Sequence, residues 1–234
     1  TVTAGSAMDV AKAVARVRPD LQAYFDMNSV APSTKAQEAR VLEGVGIAYI
    51  DTAIMAPICP KLHKTPTLLA GTTAQRQAEV LTAWGMDVRV VGQDVGRASS
   101  IKMLRSVMIK GLEALTAEMG LAAEKAGVTD EVIASLNASF PGTDWEERTA
   151  YNLERMTTHG IRRAEEMEEV VKTLEDLGIN PELTSGTVRR QRRFGQGSLN
   201  LNETNPSLPD YARKIFADPD TPTCLVRATT GSEE

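Results

Sequence analysis

The stretch that decides the fold is Gly96-Arg97-Ala98-Ser99-Ser100-Ile101-Lys102-Met103-Leu104-Arg105-Ser106. Before it, short apolar runs of strand length alternate with helical patterns, which is typical of βαβ units and predicts a mainly parallel sheet. After it, apolar residues recur every three or four positions, which predicts long helices. The chain is therefore expected to hold an α/β portion over residues 1–95 and an all-helical portion over residues 96–234, the latter ending in a loose tail after about residue 200.

Periodicity and turn-forming residues place the individual elements. Strands are predicted over residues 24–27, 47–55, 67–70 and 87–91. Helices of the first portion are predicted over residues 7–17, 34–43 and 74–84, with N-caps at Ser6, Ser33 and Thr72 or Thr73. Helices of the second portion are predicted over residues 98–125, 129–139, 145–177, 181–193 and 208–217, with Thr129 as an N-cap and Gly178 as a C-terminal glycine.

Composition excludes several classes of protein. Of the 234 residues, 42% are hydrophobic and 24% are charged, which is ordinary for a globular domain. The net charge of −5 gives no reason to expect a nucleic-acid or membrane-surface partner. The two cysteines, Cys59 and Cys224, are too few and too far apart for a disulfide scaffold or a zinc ribbon, and no metal-ligand cluster is present in the sequence. Because no long apolar stretch and no signal peptide are visible, we expect a cytoplasmic protein.

Lys102 is the first candidate for chemistry. It lies in the first turns of the predicted helix 98–125, on a face shared with Arg105 and Ser106 and opposite an apolar stripe. The stripe comprises Ile101, Leu104, Met108, Leu112, Leu115 and Met119. A lysine near a domain junction can exchange a proton with a substrate oxygen. On the pattern alone, a solvated helix face explains the same residues at least as well.

Two strand ends are candidate ligand sites, because ligands of open parallel sheets bind beyond the carboxyl ends of the strands. Asn28-Ser29 follows the first predicted strand directly, although ordinary turn and capping chemistry explains these residues equally well. The segment Asp51-Thr52-Ala53-Ile54-Met55-Ala56-Pro57 ends the second strand. Its small residues would admit a ligand, but a buried strand is the stronger interpretation.

Two further groups of polar residues lie on the predicted helices. His159 precedes Arg163 by four positions, so the two could hold an anionic substrate on one helix face, although a structural histidine explains the pattern more simply. Gly160 in mid-helix indicates that something approaches closely there. The basic cluster over residues 189–193 is weak support for nucleic-acid binding, and pairing with the acidic run over residues 165–169 explains it at least as well.

Four segments in order carry a family resemblance. Asp26-Met27-Asn28-Ser29-Val30-Ala31-Pro32 is similar to an Asp-Met-Ser-Thr-x-x-Pro motif, and Asp51–Pro57 takes the place of a substrate loop of the Asp-Ala-Pro-Val-Ser-Gly-Gly type. Thr67-Leu68-Leu69-Ala70-Gly71 is similar to the following strand, and residues 96–106 to a Gly-x-x-x-x-x-Lys-x-x-x-Asn segment. The sequence thus resembles the β-hydroxyacid dehydrogenases, which include 3-hydroxyisobutyrate and 6-phosphogluconate dehydrogenases. Residues 101–115 and 159–167 resemble the subgroup with a DUF1932-type C-terminal domain.

The resemblance implies a fold and an activity. Residues 1–95 would be the C-terminal part of a Rossmann-like domain, and residues 96–234 an all-helical substrate and dimerisation domain. The protein would be an oxidoreductase that transfers hydride from a β-hydroxy acid, or a related secondary alcohol, to NAD or NADP. Lys102 would be the general acid/base, and the protein would form a homodimer through its helical domain without binding nucleic acid, a membrane or a metal.

The same resemblance implies which residues touch the ligands. The cofactor would be contacted by Thr3, Ala4, Asn28, Ser29 and Val30. The substrate would be contacted by Ala56, Arg105, Ser106, His159 and Arg163. Two positions depart from the family pattern, because Ala56-Pro57 replaces Gly-Gly and Ser106 replaces the asparagine after the lysine. These departures indicate a different, bulkier or anionic substrate.

The front of the chain also departs from the family. Val2-Thr3-Ala4 is similar to the end of the fourth strand of the Rossmann domain, so βαβ units that would carry the glycine-rich turn are expected to precede it, over roughly 60 residues. No Gly-x-Gly-x-x-Gly motif is present in residues 1–234. Two hypotheses follow: an NAD(P)-dependent dehydrogenase, or a truncated, non-catalytic dimerisation or regulatory module of such an enzyme.

Overall fold

The computed structural model describes residues 2–197 and 207–217. Its strands are β1 (Ala23–Asp26), β2 (Ala48–Ile54), β3 (Thr67–Ala70) and β4 (Val88–Gly92). Its helices are α1 (Ala7–Val17), α2 (Pro32–Glu43), α3 (Ala74–Ala83), α4 (Arg97–Ala126), α5 (Thr129–Ser139), α6 (Trp145–Asp176), α7 (Glu182–Gln196) and α8 (Leu208–Ala217). Short 3-10 turns occur at Ala4–Ser6 and Leu62–Lys64. The predicted order of an α/β portion followed by helices is confirmed.

The chain divides into two compact units. The sheet unit comprises Thr1–Met108 and Glu166–Thr184, and the helical unit comprises Ile109–Glu165 and Ser185–Glu234. The division falls within α4, whereas the sequence-based domain boundary between residues 95 and 96 falls at the start of that helix. Each unit is built around its own buried apolar residues.

The sheet is mixed, with the strand order β1-β2-β3-β4. Strands β1 and β2 are parallel, as are β3 and β4, but β2 and β3 are antiparallel. The prediction of a mainly parallel sheet is therefore wrong at its centre. A parallel connection needs a crossover, usually a helix, whereas the segment after β2 holds only a 3-10 turn and returns alongside β2. The amide of Met55 donates to the carbonyl oxygen of Pro66 at 2.9 Å and closes the base of this loop.

Helices cover both faces of the sheet, because successive residues of a strand point to opposite sides. Tyr49 of β2 packs with Leu42 of α2 on the face that α1 and α2 cover. The next residue, Ile50, packs with Leu69 and with Leu81 of α3 on the other face. Leu42, Tyr49, Ile50 and Leu69 are all at most 1% exposed.

The helix ends differ from the sequence-based assignment. Ser6 and Thr73 occupy N-cap positions but make no side-chain capping bond. Helix α2 begins one residue before Ser33, with Pro32 in its first turn, where the missing proline N–H costs nothing. Thr129 is the first residue of α5 rather than its cap. Carboxylates from distant positions supply the missing acceptors at two of the helix starts described below.

Helix α4 has the opposite orientation from the one expected. The apolar stripe is largely exposed, with Leu104 at 44%, Met108 at 65% and Leu115 at 63% of their full accessible surface. The polar face is the covered one, because Ser106 and Glu113 are buried. The interpretation of that face as solvated is therefore wrong.

The core of the helical unit is formed by side chains from five helices. The largest fully buried ones are Leu153 and Met156 of α6, Phe194 of α7, and Leu208 and Ile215 of α8. The short helix predicted over residues 208–217 is confirmed as α8, and its apolar face is buried in this core. Residues 198–206 and 218–234, with Cys224, lie outside the described residues.

Gly160 lies where helix α7 approaches helix α6 closely, as its position in the middle of a helix indicated. A Cβ atom there would lie 2.6 Å from the backbone nitrogen of Gly195 and would overlap the carbonyl oxygen of Gln191. Helices α6 and α7 therefore meet backbone to backbone at this pair of glycines. No helix in the part of the chain that the structure describes combines the length and the apolar character needed to span a membrane.

Candidate functional site

The carboxyl ends of β1 and β2 lie side by side at one edge of the sheet. The two strands are parallel, and their register pairs Asp26 with Asp51. Both carboxylates are buried, with 1% and 0% of their surface exposed. Each one holds a different segment of the sheet unit through hydrogen bonds.

Asp26 holds the loop that follows β1. Its Oδ1 atom accepts hydrogen bonds from the Asn28 backbone amide at 2.9 Å and from Asn28 Nδ2 at 2.6 Å. In turn, Asn28 Oδ1 accepts a hydrogen bond from the Val2 amide at 2.8 Å. The structure therefore brings the segment containing Thr3 and Ala4 next to Asn28.

The rest of this loop is fixed from α6. The Ala31 amide, at the start of α2, donates to Oε2 of Glu169 at 2.7 Å. Lys172, one turn further along α6, donates from Nζ to Thr34 Oγ1 at 2.7 Å. Ser29 is half-buried, whereas Val30 is fully buried. A ligand could thus reach the Ser29 hydroxyl, but the side chain of Val30 is packed in the interior.

Lys35 of α2 links the two strand ends. Its fully buried Nζ atom lies 2.9 Å from Asp26 Oδ2 and 3.8 Å from Asp51 Oδ1, and it donates to the Asp26 carbonyl oxygen at 2.7 Å. Burial raises the pKa of Asp26, but the charge of Lys35 and hydrogen bonds from the surrounding side chains outweigh it and bring the pKa to about 2. Asp26 is therefore an anion at neutral pH.

Asp51 holds the start of α4. Its Oδ2 atom accepts hydrogen bonds from the amides of Gly96 and Ser99, both at 3.0 Å, and from the Ser99 hydroxyl at 3.1 Å. A carboxylate at this position also interacts favourably with the positive end of the helix dipole. Asp51 thereby fixes the first turn of the helix that carries Lys102.

Lys102 and Ser106 lie one turn apart on α4. The Ser106 hydroxyl donates to the Lys102 carbonyl oxygen at 2.9 Å. Lys102 is half-buried, Ser106 is 7% exposed, and Arg105 between them is exposed. Ala56 is also exposed, in the loop that follows β2. These residues all belong to the sheet unit.

His159 and Arg163 belong to the helical unit, where Arg163 already has an anionic partner. Its guanidinium makes a two-pronged contact with Glu113, from Nε to Oε2 at 3.0 Å and from Nη2 to Oε1. Gln191 Nε2 donates to the same Glu113 Oε2 atom at 2.8 Å. Burial and then Arg155, the first of several neighbouring arginines, lower the pKa of His159. In the basic cluster, Arg190 pairs with Glu118.

Asp26 and Asp51, with the side chains that contact them, form a buried polar network at the ends of β1 and β2, here called the strand-end network. Sequence reasoning missed three of its residues: Lys35, Glu38 and Tyr49. Tyr49 Oη lies 2.6 Å from Asp26 Oδ2 and 2.8 Å from Glu38 Oε2. The signal was present, because a lysine and a glutamate three positions apart follow a strand that ends in aspartate. That spacing is also usual on an exposed helix face, so it could not distinguish the two environments.

Comparisons with known proteins agree with this architecture. A family model described as "Domain of unknown function (DUF1932)" matches residues 123–194. A protein of Methanothermus fervidus, named an uncharacterized 28.5 kDa protein in the 7S RNA 5' region, is 30% identical over 180 residues, which are 77% of this chain and 68% of the relative. The crystal structure of a conserved hypothetical protein from Sinorhizobium meliloti 1021 is 36% identical, with a TM-score of 0.75, over 92% of this chain and 73% of that chain.

A further structure connects these proteins with an enzyme family. The conserved protein MTH1747, of unknown function, was described as structurally similar to 3-hydroxyacid dehydrogenases. It is 30% identical to this chain, with a TM-score of 0.69, over 83% of this chain and 72% of that chain. The chain belongs to the β-hydroxyacid dehydrogenase-like family with a DUF1932 domain. The predicted resemblance is confirmed, as is the predicted combination of a Rossmann-like sheet domain and a helical domain.

Membership in the β-hydroxyacid dehydrogenase-like family gives the strand-end network its setting. The segment after β1 contains Asn28, and helix α4 contains Lys102. These are two of the residues that the resemblance to this family singles out. Each segment is held by a buried aspartate, the first by Asp26 and the second by Asp51, and Lys35 lies between the two aspartates. Within residues 2–197 and 207–217, no group of three or more His, Cys, Asp or Glu side chains could hold a metal ion.

Proposed function

We propose that the protein is an NAD(P)-dependent oxidoreductase that oxidises a β-hydroxy acid or a related secondary alcohol. One observation carries this proposal: Asp26 and Asp51, paired across neighbouring strands, anchor the Asn28 loop and the start of the Lys102 helix. Ligands of such sheets bind at the carboxyl ends of the strands. The family resemblance assigns the cofactor to the first of these segments and proton transfer to the second.

The residues at this edge fit the nicotinamide-ribose half of the cofactor. The Val2–Asn28 hydrogen bond joins the two predicted contact segments, and Thr3 and Ser29 offer hydroxyl groups that are at least partly exposed. Asn28 and Ser29 would hold this half, and Val30 would contribute through its backbone. Thr3 and Ala4 would contact the cofactor beside them, with Ala4 on its adenosine side. When bound, the nicotinamide supplies the hydride acceptor.

Lys102 would act on the substrate hydroxyl. In the oxidation it would take the hydroxyl proton, and in the reverse reaction it would return a proton to the carbonyl oxygen. Asp51 anchors the helix that carries it, so the lysine starts from a fixed backbone. Ser106, one turn away, and the exposed Arg105 and Ala56 would contact the rest of the substrate. A guanidinium in this position suits a carboxylate.

Arg163 contributes less to this proposal than the residues of α4. Its guanidinium is buried against Glu113, which already satisfies the role of an anionic partner. His159 has a lowered pKa, because of its burial and of neighbouring arginines led by Arg155, and is therefore a weak anion binder at neutral pH. The substrate proposal consequently rests on Ala56, Arg105 and Ser106.

The test is reduction of NAD+ and NADP+ by the purified protein with a panel of 3-hydroxy acids. Lys102→Ala should lower kcat by roughly 10²–10⁴-fold, the usual contribution of a positioned acid/base group. Lys125→Ala, at the exposed end of the same helix, should leave kcat unchanged. Undiminished activity of Lys102→Ala would disprove the assigned role of the lysine.

A second candidate is a non-catalytic dimerisation or regulatory module. The exposed apolar side chains of α4, among them Leu104, Met108 and Leu115, favour it. Exposed apolar side chains spaced along one helix suit an interaction site, and such a stripe can be buried against its own copy about a two-fold axis. We propose a homodimer through α4 under either candidate function.

One measurement separates the two candidate functions, and a second one tests the homodimer. Titration with NADH and NADPH decides between them, because binding of either nucleotide argues against a purely non-catalytic module. Sedimentation tests the homodimer: Leu104→Lys with Met108→Lys should yield monomers, whereas Val17→Lys, at another exposed apolar position, should not. A wild-type protein that sediments as a monomer at micromolar concentration would contradict the homodimer.

A further inference from the structure

Tyr49 contacts two carboxyl groups with a single hydroxyl proton. Its Oη atom lies 2.6 Å from Asp26 Oδ2 and 2.8 Å from Glu38 Oε2, both within hydrogen-bond distance. A phenol donates one hydrogen bond, so it can donate to one of these oxygens only. The other contact needs a proton on the carboxyl group. A phenol and two carboxylates carry one proton in all, so two hydrogen bonds among the three groups need a second proton.

The extra proton belongs to Glu38 rather than to Asp26. Asp26 accepts hydrogen bonds from the amide and the side chain of Asn28 and from Lys35, which is the environment of an anion. Glu38 has no comparable partners, and its Oε1 atom is buried without a hydrogen bond. An unpartnered oxygen is less costly to bury on a neutral carboxyl group than on a carboxylate.

The direction of the hydrogen bonds follows from this assignment. Glu38 donates from Oε2 to Tyr49 Oη, and Tyr49 donates to Asp26 Oδ2. Tyr49 keeps its own proton, because burial and then the charge of Asp26 raise its pKa. The shift at Glu38 agrees with this direction: burial and then the neighbouring Asp26 carboxylate raise its pKa to about 8.

We propose that Glu38 holds the Asn28 loop in place through its proton, so that loss of this proton releases Asn28 and weakens cofactor binding. Without the proton, the single hydrogen of Tyr49 cannot serve both carboxylates. A second negative charge then faces Asp26 across the phenol oxygen. Asp26 is the residue that fixes Asn28, and Asn28 fixes Val2. Glu38 is thus a positioning residue, and its effect on the cofactor rests on the proposed function.

The groups that face Glu38 come from three elements. They are Asp26 and Tyr24 of β1, Tyr49 of β2, and Lys35 of its own helix. Helix α1 also packs against α2, but its charged residues are all exposed. Lys35 stabilises the charged form of Glu38 and is outweighed by burial and by Asp26.

Hydrogen exchange of the Asn28 amide tests whether the Glu38 proton holds the Asn28 loop, and it does not rely on any enzymatic activity. After correction for intrinsic exchange, protection should fall by about tenfold per pH unit between roughly pH 5 and pH 8, because opening releases one proton. Glu38→Gln is neutral at every pH and can donate to Tyr49, so its protection should be independent of pH. Glu43→Gln, an exposed glutamate of the same helix, should behave as the wild type.

Two results would overturn the proposal: protection that is constant with pH in the wild type, or an equal loss in Glu38→Gln. If Glu38→Gln does not fold, the carboxyl carbon resonance of Glu38 in the wild type decides, and titration below pH 5 contradicts the proton assignment. Glu38 keeps its proton up to about pH 8, so the affinity for NADH and NADPH should stay constant below that pH and weaken above it, in the wild type only. Absence of binding at every pH would contradict the proposed function and leave the exchange result to decide on Glu38.

Discussion

Asp51 binds Ser99 twice, since its Oδ2 atom accepts the Ser99 backbone amide at 3.0 Å and the Ser99 hydroxyl at 3.1 Å. The same oxygen accepts the Gly96 amide, so one carboxylate satisfies two of the amides that a helix start leaves unpaired. The end of β2 is thereby tied to the first turn of α4. Asp51 thus anchors the first turn of the helix that carries Lys102 from a position far away in sequence.

Removal of the Asp51 carboxylate should destabilise the sheet unit. Asp51→Ala leaves the Gly96 and Ser99 amides buried without an acceptor, and we expect a loss of about 1–3 kcal/mol in the free energy of unfolding. Urea denaturation measures this change. Asp94→Ala, at an exposed position close to the same helix start, should change stability by less than about 0.5 kcal/mol. Equal effects of the two substitutions would show that Asp51 does not anchor α4.

The sequence predicted elements better than it predicted their surroundings. Strand β3 and helices α1, α5 and α8 have the predicted bounds, because apolar periodicity and flanking turn residues are local signals. The antiparallel pairing of β2 with β3 was missed, since strand direction depends on how the loop before Pro66 returns. The missing side-chain caps have the same origin, because Asp51 and Glu169 act from positions far away in sequence.

Burial was the least predictable property. An apolar stripe indicates that a face is covered, but it does not say by which surface, and on α4 the stripe of Leu104 and Met108 is exposed within the chain. The buried polar face depends on partners from other helices, such as Arg163 for Glu113. At the candidate site, strand-end residues such as Asn28 could be found from the sequence. Lys35 could not, because a lysine on an amphipathic helix is usually solvated.

The stability of the sheet unit should fall with rising pH through Glu38. Its pKa is raised from the ordinary glutamate value of 4.5 to about 8 in the folded chain, so between these pH values the unfolded state has lost a proton that the folded state keeps. The free energy of unfolding should then decrease by up to about 1.4 kcal/mol per pH unit. Asp26 adds no slope in this window, because its lowered pKa affects stability only below about pH 4.

Glu38→Gln isolates this contribution. Denaturation of the wild type and of Glu38→Gln at several pH values should give a difference in unfolding free energy that grows from pH 5 to pH 8. Glu43→Gln should follow the wild type throughout, because its side chain is exposed. Parallel pH profiles for the wild type and Glu38→Gln would mean that the folded state does not retain the Glu38 proton.

Arg163 should contribute to stability rather than to substrate affinity. Its pair with Glu113 is buried, with 9% and 5% of the side chains exposed, so Arg163→Ala leaves an uncompensated carboxylate and should cost about 3–5 kcal/mol. Arg190→Ala should cost less than about 1 kcal/mol, because its partner Glu118 is 71% exposed. A raised KM with unchanged stability in Arg163→Ala would instead assign this residue to the substrate site.

The close contact of α6 with α7 at Gly160 predicts that two glycine-to-alanine substitutions change the free energy of unfolding in opposite directions. Alanine normally stabilises a helix relative to glycine by up to about 1 kcal/mol, and Gly186→Ala on α7 should show this gain, since the nearest atom, Arg189 Nη2, lies 3.8 Å from the added Cβ. Gly160→Ala should do the reverse and cost about 1–3 kcal/mol or more, because its Cβ meets the backbone of Gln191 and Gly195, which a rotamer change cannot move. Thermal or urea unfolding of the two variants beside the wild type measures both changes. If Gly160→Ala were as stable as Gly186→Ala, the two helices would not meet at these glycines.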